Sequence, residues 1–288
     1  MRVSRRFLKR IGYLFFSGLR GGCLLLGGSA VRERLAVFLV LLAALFFQGC
    51  GSGHFRFPTL VFPKKLMATD FPDSGAVVLN DVRSIDFRLS ETRGRTRLIV
   101  VEKHHRRLKI LRDSGLQEAM VALPTDGFST VTNVAARSAG PGGEVERMKR
   151  GAVRHTVRAG GHQGASQLGA TRFTIPGAQV GGILEYYYER VYTEPDMVPV
   201  WVLGDRLPVV RSELSLSADP AVRIQYRFGR GGRLVDASPL SRAGSDGRER
   251  LVFVERDLEA VRPEVGMPHR AWLSPWVAIV ASSAQIGG

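Results

Sequence analysis

From Leu184 onward every second residue reads Leu184, Tyr186, Tyr188, Arg190 and Tyr192, while the other face reads Ile183, Glu185, Tyr187, Glu189 and Val191. Aromatic and β-branched residues at a period of two mark a strand with one side on a core and a mixed opposite side. Pro176-Gly177 interrupts the apolar run that begins at Phe173, and Gly181-Gly182 precedes the strand, so both read as turns. The same alternation predicts strands over Ala76–Leu89 and Arg97–Leu111, with Thr92-Arg93-Gly94 as a tight connection that makes them a hairpin. Further strands are expected over Thr130–Ala136, Trp201–Leu203, Val209–Ser217 and Leu251–Val254. Val222, Ile224, Tyr226 and Phe228 oppose Arg223, Gln225 and Arg227, which is the cleanest amphipathic strand pattern in the chain.

Turn signals separate these runs at Asp113-Ser114-Gly115, at Gly140-Pro141-Gly142-Gly143 and at Gly229–Gly232. Residues 150–170 are glycine-rich and weakly patterned, a loop around one short strand. Residues 54–74 hold four phenylalanines and three prolines without a period, which reads as an extended arm. About ten to twelve strands at hairpin spacing and no long helical pattern predict an all-β fold, a large antiparallel two-sheet sandwich.

Length and composition fit that reading. The chain has 288 residues, 44% of them apolar, and a body of about 200 residues can bury roughly 70% of its unfolded surface without a metal or disulfide staple. The net charge of +15 is unevenly placed: residues 1–50 hold eight basic residues against one acidic, leaving 33 against 25 for the rest. Arginine supplies most of that surplus, with only five lysines after residue 50. A bias of this kind is no footprint for nucleic acid, and nucleic-acid binding is not expected. Both cysteines, Cys23 and Cys50, lie in the first fifty residues, so the body has no thiol for a disulfide, a thiolate metal site or a cysteine nucleophile.

Leu35–Phe47 is thirteen consecutive apolar residues preceded by Arg32-Glu33-Arg34. That suits a signal-peptide core and is short of the ~20 residues of a membrane span. Gln48-Gly49-Cys50 follows at once, and Gly49-Cys50 resembles the lipobox of bacterial lipoproteins. In that family the cysteine is lipidated and becomes the new N-terminus, so Cys50 is the expected lipidation site. Phe47 and Gln48 depart from the leucine and small residue that the pattern prefers, and an uncleaved anchor of the same orientation is the alternative. The resemblance implies export and a membrane anchor on the periplasmic face.

Several landmarks of the body occur in a familiar order. They are Ala76–Asp81, Leu108–Leu111, Ala136-Arg137 followed by Pro141–Val145, Phe173–Gly177 with the glycine–Ile/Leu-Glu-Tyr core, and Trp201 with Pro208–Leu214. On these, residues 75–280 resemble the domain-of-unknown-function 3857 family. The resemblance implies a β-sandwich module of exported bacterial proteins that in many members precedes a papain-like transglutaminase core with a Cys-His-Asp triad. Met267–Ser282 looks like the joining region before such a core, but no cysteine follows it, so the enzymatic activity is not carried over. The expected layout is a leader over 1–50, a tether over 51–74, the sandwich over 75–265 and a tail over 266–288.

Candidate chemistry in the body is sparse. His104 and His105 are neighbours on one strand and point to opposite faces; His155, His162 and His269 form no ligand spacing, and neither metal nor cofactor is expected. No GxSxG elbow is present, and Gly229-Arg230-Gly231-Gly232 joins two strands rather than opening a helix, so it reads as a turn. Two rows remain as binding candidates. Lys103, His105, Arg107 and Lys109, with Arg95 and Arg97 beyond, line one strand face that could meet anionic headgroups or an acidic partner, or be a solvated outer face. Tyr186, Tyr188 and Tyr192 form either a sugar- or peptide-binding platform or part of the core.

The sequence therefore predicts a non-catalytic, membrane-tethered lipoprotein that binds or scaffolds. Its partner would be a separate transglutaminase-like protein or an envelope polymer. The alternatives are the front half of a transglutaminase-like or peptidase protein and a glycan- or peptide-binding envelope module.

Overall fold

The structure, a computed structural model, describes residues 55–59, 66–92, 94–157, 168–236, 238–243, 248–262 and 264–282. The leader and Cys50 lie outside the described residues, and no helix among those described is long and apolar enough to cross a membrane. In chain order the strands are β1 (Ala76–Thr92), β2 (Arg95–Ile110), β3 (Met120–Thr125), β4 (Ser129–Ala139), β5 (Val145–Arg147), β6 (Arg154–Val157) and β7 (Gly169–Thr174). They continue as β8 (Ile183–Tyr192), β9 (Trp201–Val202), β10 (Val209–Ala218), β11 (Arg223–Arg230), β12 (Arg233–Leu234), β13 (Leu240–Ala243), β14 (Glu249–Leu258) and β15 (Trp276–Ser282).

The all-β expectation holds, with three sheets in place of two. An eight-stranded sheet runs β13-β14-β10-β1-β2-β8-β4-β5, beside a four-stranded sheet β12-β11-β15-β9 and a three-stranded sheet β3-β7-β6. Within the large sheet β1 and β10 pair in parallel, and the other described pairings are antiparallel. A parallel neighbour needs a long crossover. Here the chain between β2 and β10 supplies it, building the three-stranded sheet and β9 on the way.

Both small sheets cover the same face of the large one. At one end Leu108, Ile110 and Leu184 pack against Leu123, Phe173 and Ile175; at the other, Ile85, Phe87, Val100 and Leu214 pack against Trp201, Val222, Phe228 and Val277. Each fully buried side chain of this kind contributes about 1.5–3 kcal/mol. A bulge between Val78 and Asn80 makes this possible. It reverses the parity of β1, so that Val78 before it and Ile85 and Phe87 after it all face inward.

The opposite, outer face is covered by the segment before β1, not left to solvent. Leu66, Ala68 and Phe71 pack on Val77, Leu79 and Ile183. Lys109 Nζ donates to Leu66 O at 2.7 Å, and the Arg112 guanidinium donates to Ala68 O at 2.6 Å and Phe71 O at 2.8 Å. Residues 66–74, expected as part of a tether, therefore belong to the folded body, because Arg112 gathers carbonyls that would otherwise need water. The segment expected as a tail is corrected in the same way. Trp276–Ser282 forms β15, hydrogen-bonded between β11 and β9, and its Val277 is fully buried.

Candidate functional site

The β2 residues Lys103, His105, Arg107 and Lys109 do share the outer face, as alternation requires, but only Lys103 is exposed. Lys109 is held by Leu66 O. Arg107 is buried and turned onto Glu185 of β8, which is itself 0% exposed. The register explains the meeting: Arg107, Glu185 and Arg137 stand opposite one another on β2, β8 and β4. Arg107 donates to Glu185 Oε1 through Nη2 at 2.7 Å and Nε at 3.1 Å, and His105 Nε2 donates to the same oxygen at 2.7 Å. Arg137 Nε donates to Oε2 at 2.6 Å. Burial pushes the Glu185 carboxyl up, but hydrogen bonds from His105, Arg107 and Arg137 and the Arg107 charge outweigh it and hold it below the usual carboxylate range. The basic row is thus divided: His105 and Arg107 are turned onto Glu185, Lys109 onto a carbonyl, and Lys103 alone of the four is exposed, while Arg137 leaves the Glu185 cluster with one surplus arginine charge.

An aromatic layer lies over this cluster. Phe55 stacks on Tyr187 with centroids 3.7 Å apart and planes within 4°. The Arg137 guanidinium sits 4.7 Å from the Phe57 ring centroid, and Arg137 Nη2 donates to Pro58 O. Beneath, the Tyr187 hydroxyl donates to Glu189 Oε1, while Asn133 Nδ2 donates to Glu189 Oε2 at 2.8 Å. Asn133 adopts φ 51° in an irregularity of β4 between Thr132 and Ala135. That left-handed conformation suits asparagine better than most residues.

The inner face carries a second polar group, set between the two apolar clusters. His104 Nε2 lies 2.6 Å from Asp81 Oδ1, and its Nδ1 lies 3.0 Å from the Tyr188 hydroxyl. Arg106 Nη1 donates to Asp81 Oδ2 at 3.0 Å and to Asp205 Oδ2 at 2.8 Å. Tyr192 donates to Glu102 Oε2 at 2.9 Å. Burial pushes the Asp81 carboxyl up, but Arg83, His104 and Arg106 outweigh it and hold it far below its ordinary value. Burial pushes His104 down against the pull of Asp81, so it stays neutral. Burial pushes Tyr188 and Tyr192 well up, with Glu102 adding to it.

Tyr186, Tyr188 and Tyr192 are all buried, and the platform reading is corrected: their rings pack inward and their faces are closed to a glycan. Tyrosine suits this layer because its ring joins the apolar clusters while its hydroxyl reaches a buried polar group. A Tyr–His–Asp chain invites comparison with a catalytic relay, yet both ring nitrogens of His104 are engaged and the residue is 3% exposed. A general base needs a free nitrogen within reach of a substrate proton. Among the described residues no three His, Cys, Asp or Glu side chains converge as a metal site. His155 bonds Thr171 Oγ1 at 3.0 Å, and His162 and Cys50 lie outside the described residues.

Sequence reasoning missed Glu185, Arg137, Asp81 and Asp205 as cluster members. Glu185 was visible on the face opposite the tyrosines, but its partners come from strands distant in sequence and appear only with the register. A groove of about 640 Å³ between Phe71, Val210 and Leu258 lies apart from both clusters.

Residues 99–262, more than half of the chain, match the family model described as Domain of Unknown Function with solved-structure structure (DUF3857). The chain belongs to the DUF3857 family. No curated protein matches the sequence. The chain shares its fold with the crystal structure of a candidate protease from Parabacteroides distasonis, at TM-score 0.56 and 14% identity, over 73% of this chain and 40% of that one. An M1 zinc metallopeptidase from Deinococcus radiodurans aligns at TM-score 0.29 and 8% identity over 71% of this chain and 42% of that one. Native leukotriene A4 hydrolase from Saccharomyces cerevisiae aligns at 0.31 and 12%, over 81% and 33%. These two scores carry no argument. The chain spans less than half the length of each of these proteins.

Proposed function

We propose that this DUF3857 chain is a non-catalytic binding or scaffolding module, exported and tethered to the envelope through a lipid on Cys50. The observation that supports it is the Glu185 cluster. A buried carboxylate with His105, Arg107 and Arg137 around it is weak as a stability device, since replacing such a group by apolar residues is often neutral or stabilising. Its value lies in fixing the orientation of side chains that present themselves at a face. The buried groups that resemble catalytic ones, His104 and Asp81, spend their hydrogen-bonding capacity on each other and on Tyr188 and Arg106. The partner would be a transglutaminase-like protein or an envelope polymer.

The test joins two assays. Purified chain is expected to show no peptide hydrolysis and no amide transfer, and membrane retention in cells is expected to be lost in Cys50→Ser. Turnover by the purified chain overturns the non-catalytic part; unchanged retention overturns the tether.

A second reading is that the chain is the non-catalytic front part of a peptidase-like protein. The P. distasonis candidate protease favours it, because the shared fold occupies only 40% of that longer chain.

A further inference from the structure

The aromatic segment over the Glu185 cluster is held differently from the residues beneath it. Each side chain that receives it is locked from below: Tyr187 by Glu189, His105 and Arg137 by Glu185. Glu189 is fixed in turn by Asn133. Phe55–Pro58, by contrast, joins no sheet, and its recorded main-chain link to the site is the bond from Arg137 to Pro58 O. Both phenylalanines stay half-exposed. A receiving surface fixed by its own hydrogen bonds, under an occupant that joins no sheet and is held through ring contacts and one main-chain oxygen, is the arrangement of a peptide site, in which preorganisation limits the cost of binding.

We propose that Tyr187, His105 and Arg137 form a recognition site for an extended peptide with two aromatic residues one apart followed by proline. Phe55–Pro58 occupies it in cis, and a partner polypeptide displaces that segment. The proposal rests on the binding-module reading above and names its site.

Charge identifies the occupant. Arg107 and Arg137 are matched by Glu185 and by Glu189 under Tyr187, but Lys103 is exposed on the same face, Arg147 stands beside Arg137, and the cis segment places an exposed arginine, Arg56, between its two aromatics, so the surplus around the site is positive. The cis match is therefore electrostatically poor, and a partner with an acidic residue between its aromatics gains where this segment loses. A second copy of the chain carries the same Arg56 and gains nothing. It would also compete at micromolar concentration against a cis segment whose effective concentration is about millimolar.

The experiment uses dye-labelled peptides in fluorescence polarisation against the full chain and its Phe55→Ala/Phe57→Ala variant. The probes are capped Phe-Glu-Phe-Pro-Thr and capped Phe-Arg-Phe-Pro-Thr. The arm variant is expected to bind the glutamate peptide about tenfold more tightly than the wild type does, and to prefer it over the arginine peptide. Adding Tyr187→Ala or Arg137→Ala is expected to weaken binding about tenfold. Circular dichroism and the urea midpoint establish that each variant is folded.

A folded arm variant that binds no more tightly than wild type overturns the proposal, as does binding that survives both Tyr187→Ala and Arg137→Ala. Dimerisation of the wild type that Phe55→Ala abolishes would give the site to a second copy and overturn the partner assignment. The two readings fail separately. Turnover by the purified chain sinks the non-catalytic module whatever the peptides do, whereas loss of the peptide result alone leaves the module without this site.

Discussion

His104 Nε2 and Asp81 Oδ1 lie 2.6 Å apart on neighbouring strands, between the two apolar clusters that fill the inner face. This contact sets the protonation of the surrounding network. An ionised carboxylate only accepts, so the proton is on Nε2, and Nδ1 is left as an acceptor for the Tyr188 hydroxyl at 3.0 Å. The Tyr188 hydroxyl also lies 3.3 Å from Glu102 Oε1, but its one proton is committed to the closer nitrogen. The layer is buried, and Arg106 Nη1 completes it by donating to both Asp81 and Asp205.

Removing that hydroxyl tests the assignment. A hydrogen bond donated to Nδ1 favours neutral imidazole, so Tyr188→Phe is expected to move the His104 titration up, toward the ordinary histidine value. The loss of one buried hydrogen bond should also cost about 1–2 kcal/mol of stability. Nuclear magnetic resonance titration of the His104 ring, with urea unfolding at neutral pH, measures both. An unmoved titration would mean that the hydroxyl points to Glu102 instead.

Stability should fall with acidity in two stages. The folded His104 value lies below its ordinary 6.5, so the unfolded chain binds more protons in between. Its contribution is complete above about pH 6.5 and declines as pH falls. Asp81, Asp205 and Glu185 are also held below their ordinary values of 3.8, 3.8 and 4.5, so a second loss follows as pH drops below about 4.5. The urea midpoint is expected to decrease from pH 8 to pH 5 and more steeply below. His104→Gln should flatten the upper stage and leave the lower one in place, reduced by the part of the Asp81 shift that His104 supplies. A wild-type midpoint constant from pH 8 to pH 5 would contradict the histidine assignment.

The outer cluster makes a prediction of its own. Glu185→Gln keeps the shape but leaves Arg107 and Arg137 buried without a countercharge. Breaking a buried pair in this way costs about 3–5 kcal/mol, because a charge is stranded rather than because the pair was worth that much. The double variant Glu185→Gln/Arg137→Met should therefore recover part of the loss. Unfolding in urea measures both variants; a double variant less stable than the single one would argue against charge stranding as the cause.

What the sequence disclosed and what it withheld divide along one physical line. Alternation along a single strand revealed β1, β2, β8, β10 and β11 and put Lys103, His105, Arg107 and Lys109 on one face, because the period of two is local. Which face turns inward is not local. Tyr186 and Tyr188 point in and Arg107 is buried outside because two small sheets cover one side and residues 55–59 and 66–74 the other. The Glu185 cluster depends on a register between β2, β8 and β4, and the parity change in β1 depends on one bulge at Val78/Asn80. The strand β15 escaped notice because Trp276–Ser282 carries apolar residues on both faces, the exposed Val280 as well as the buried Val277, so no alternation marks it.

Two glycines separate steric from conformational necessity. A Cβ on Gly115 would stand 2.1 Å from Gly75 O and 2.6 Å from its carbonyl carbon. Both are backbone atoms, and Gly75 O already accepts from Leu111 N at 2.8 Å and Arg112 N at 3.0 Å. Gly115→Ala must push the 113–119 turn away from the start of β1 and loosen those bonds, a cost of about 2–3 kcal/mol by the measure of overpacked sites. Gly94, in the β1–β2 connection, has φ 71° and open space around a built Cβ. There the penalty is conformational alone: Gly94→Ala should cost about 1 kcal/mol and Gly94→Asn less, since asparagine tolerates the left-handed region. Urea unfolding of the three variants should rank them Gly115→Ala as least stable, then Gly94→Ala, then Gly94→Asn. If Gly94→Ala proved the most damaging, the contact between Gly115 and Gly75 could not be what holds the 113–119 turn against β1.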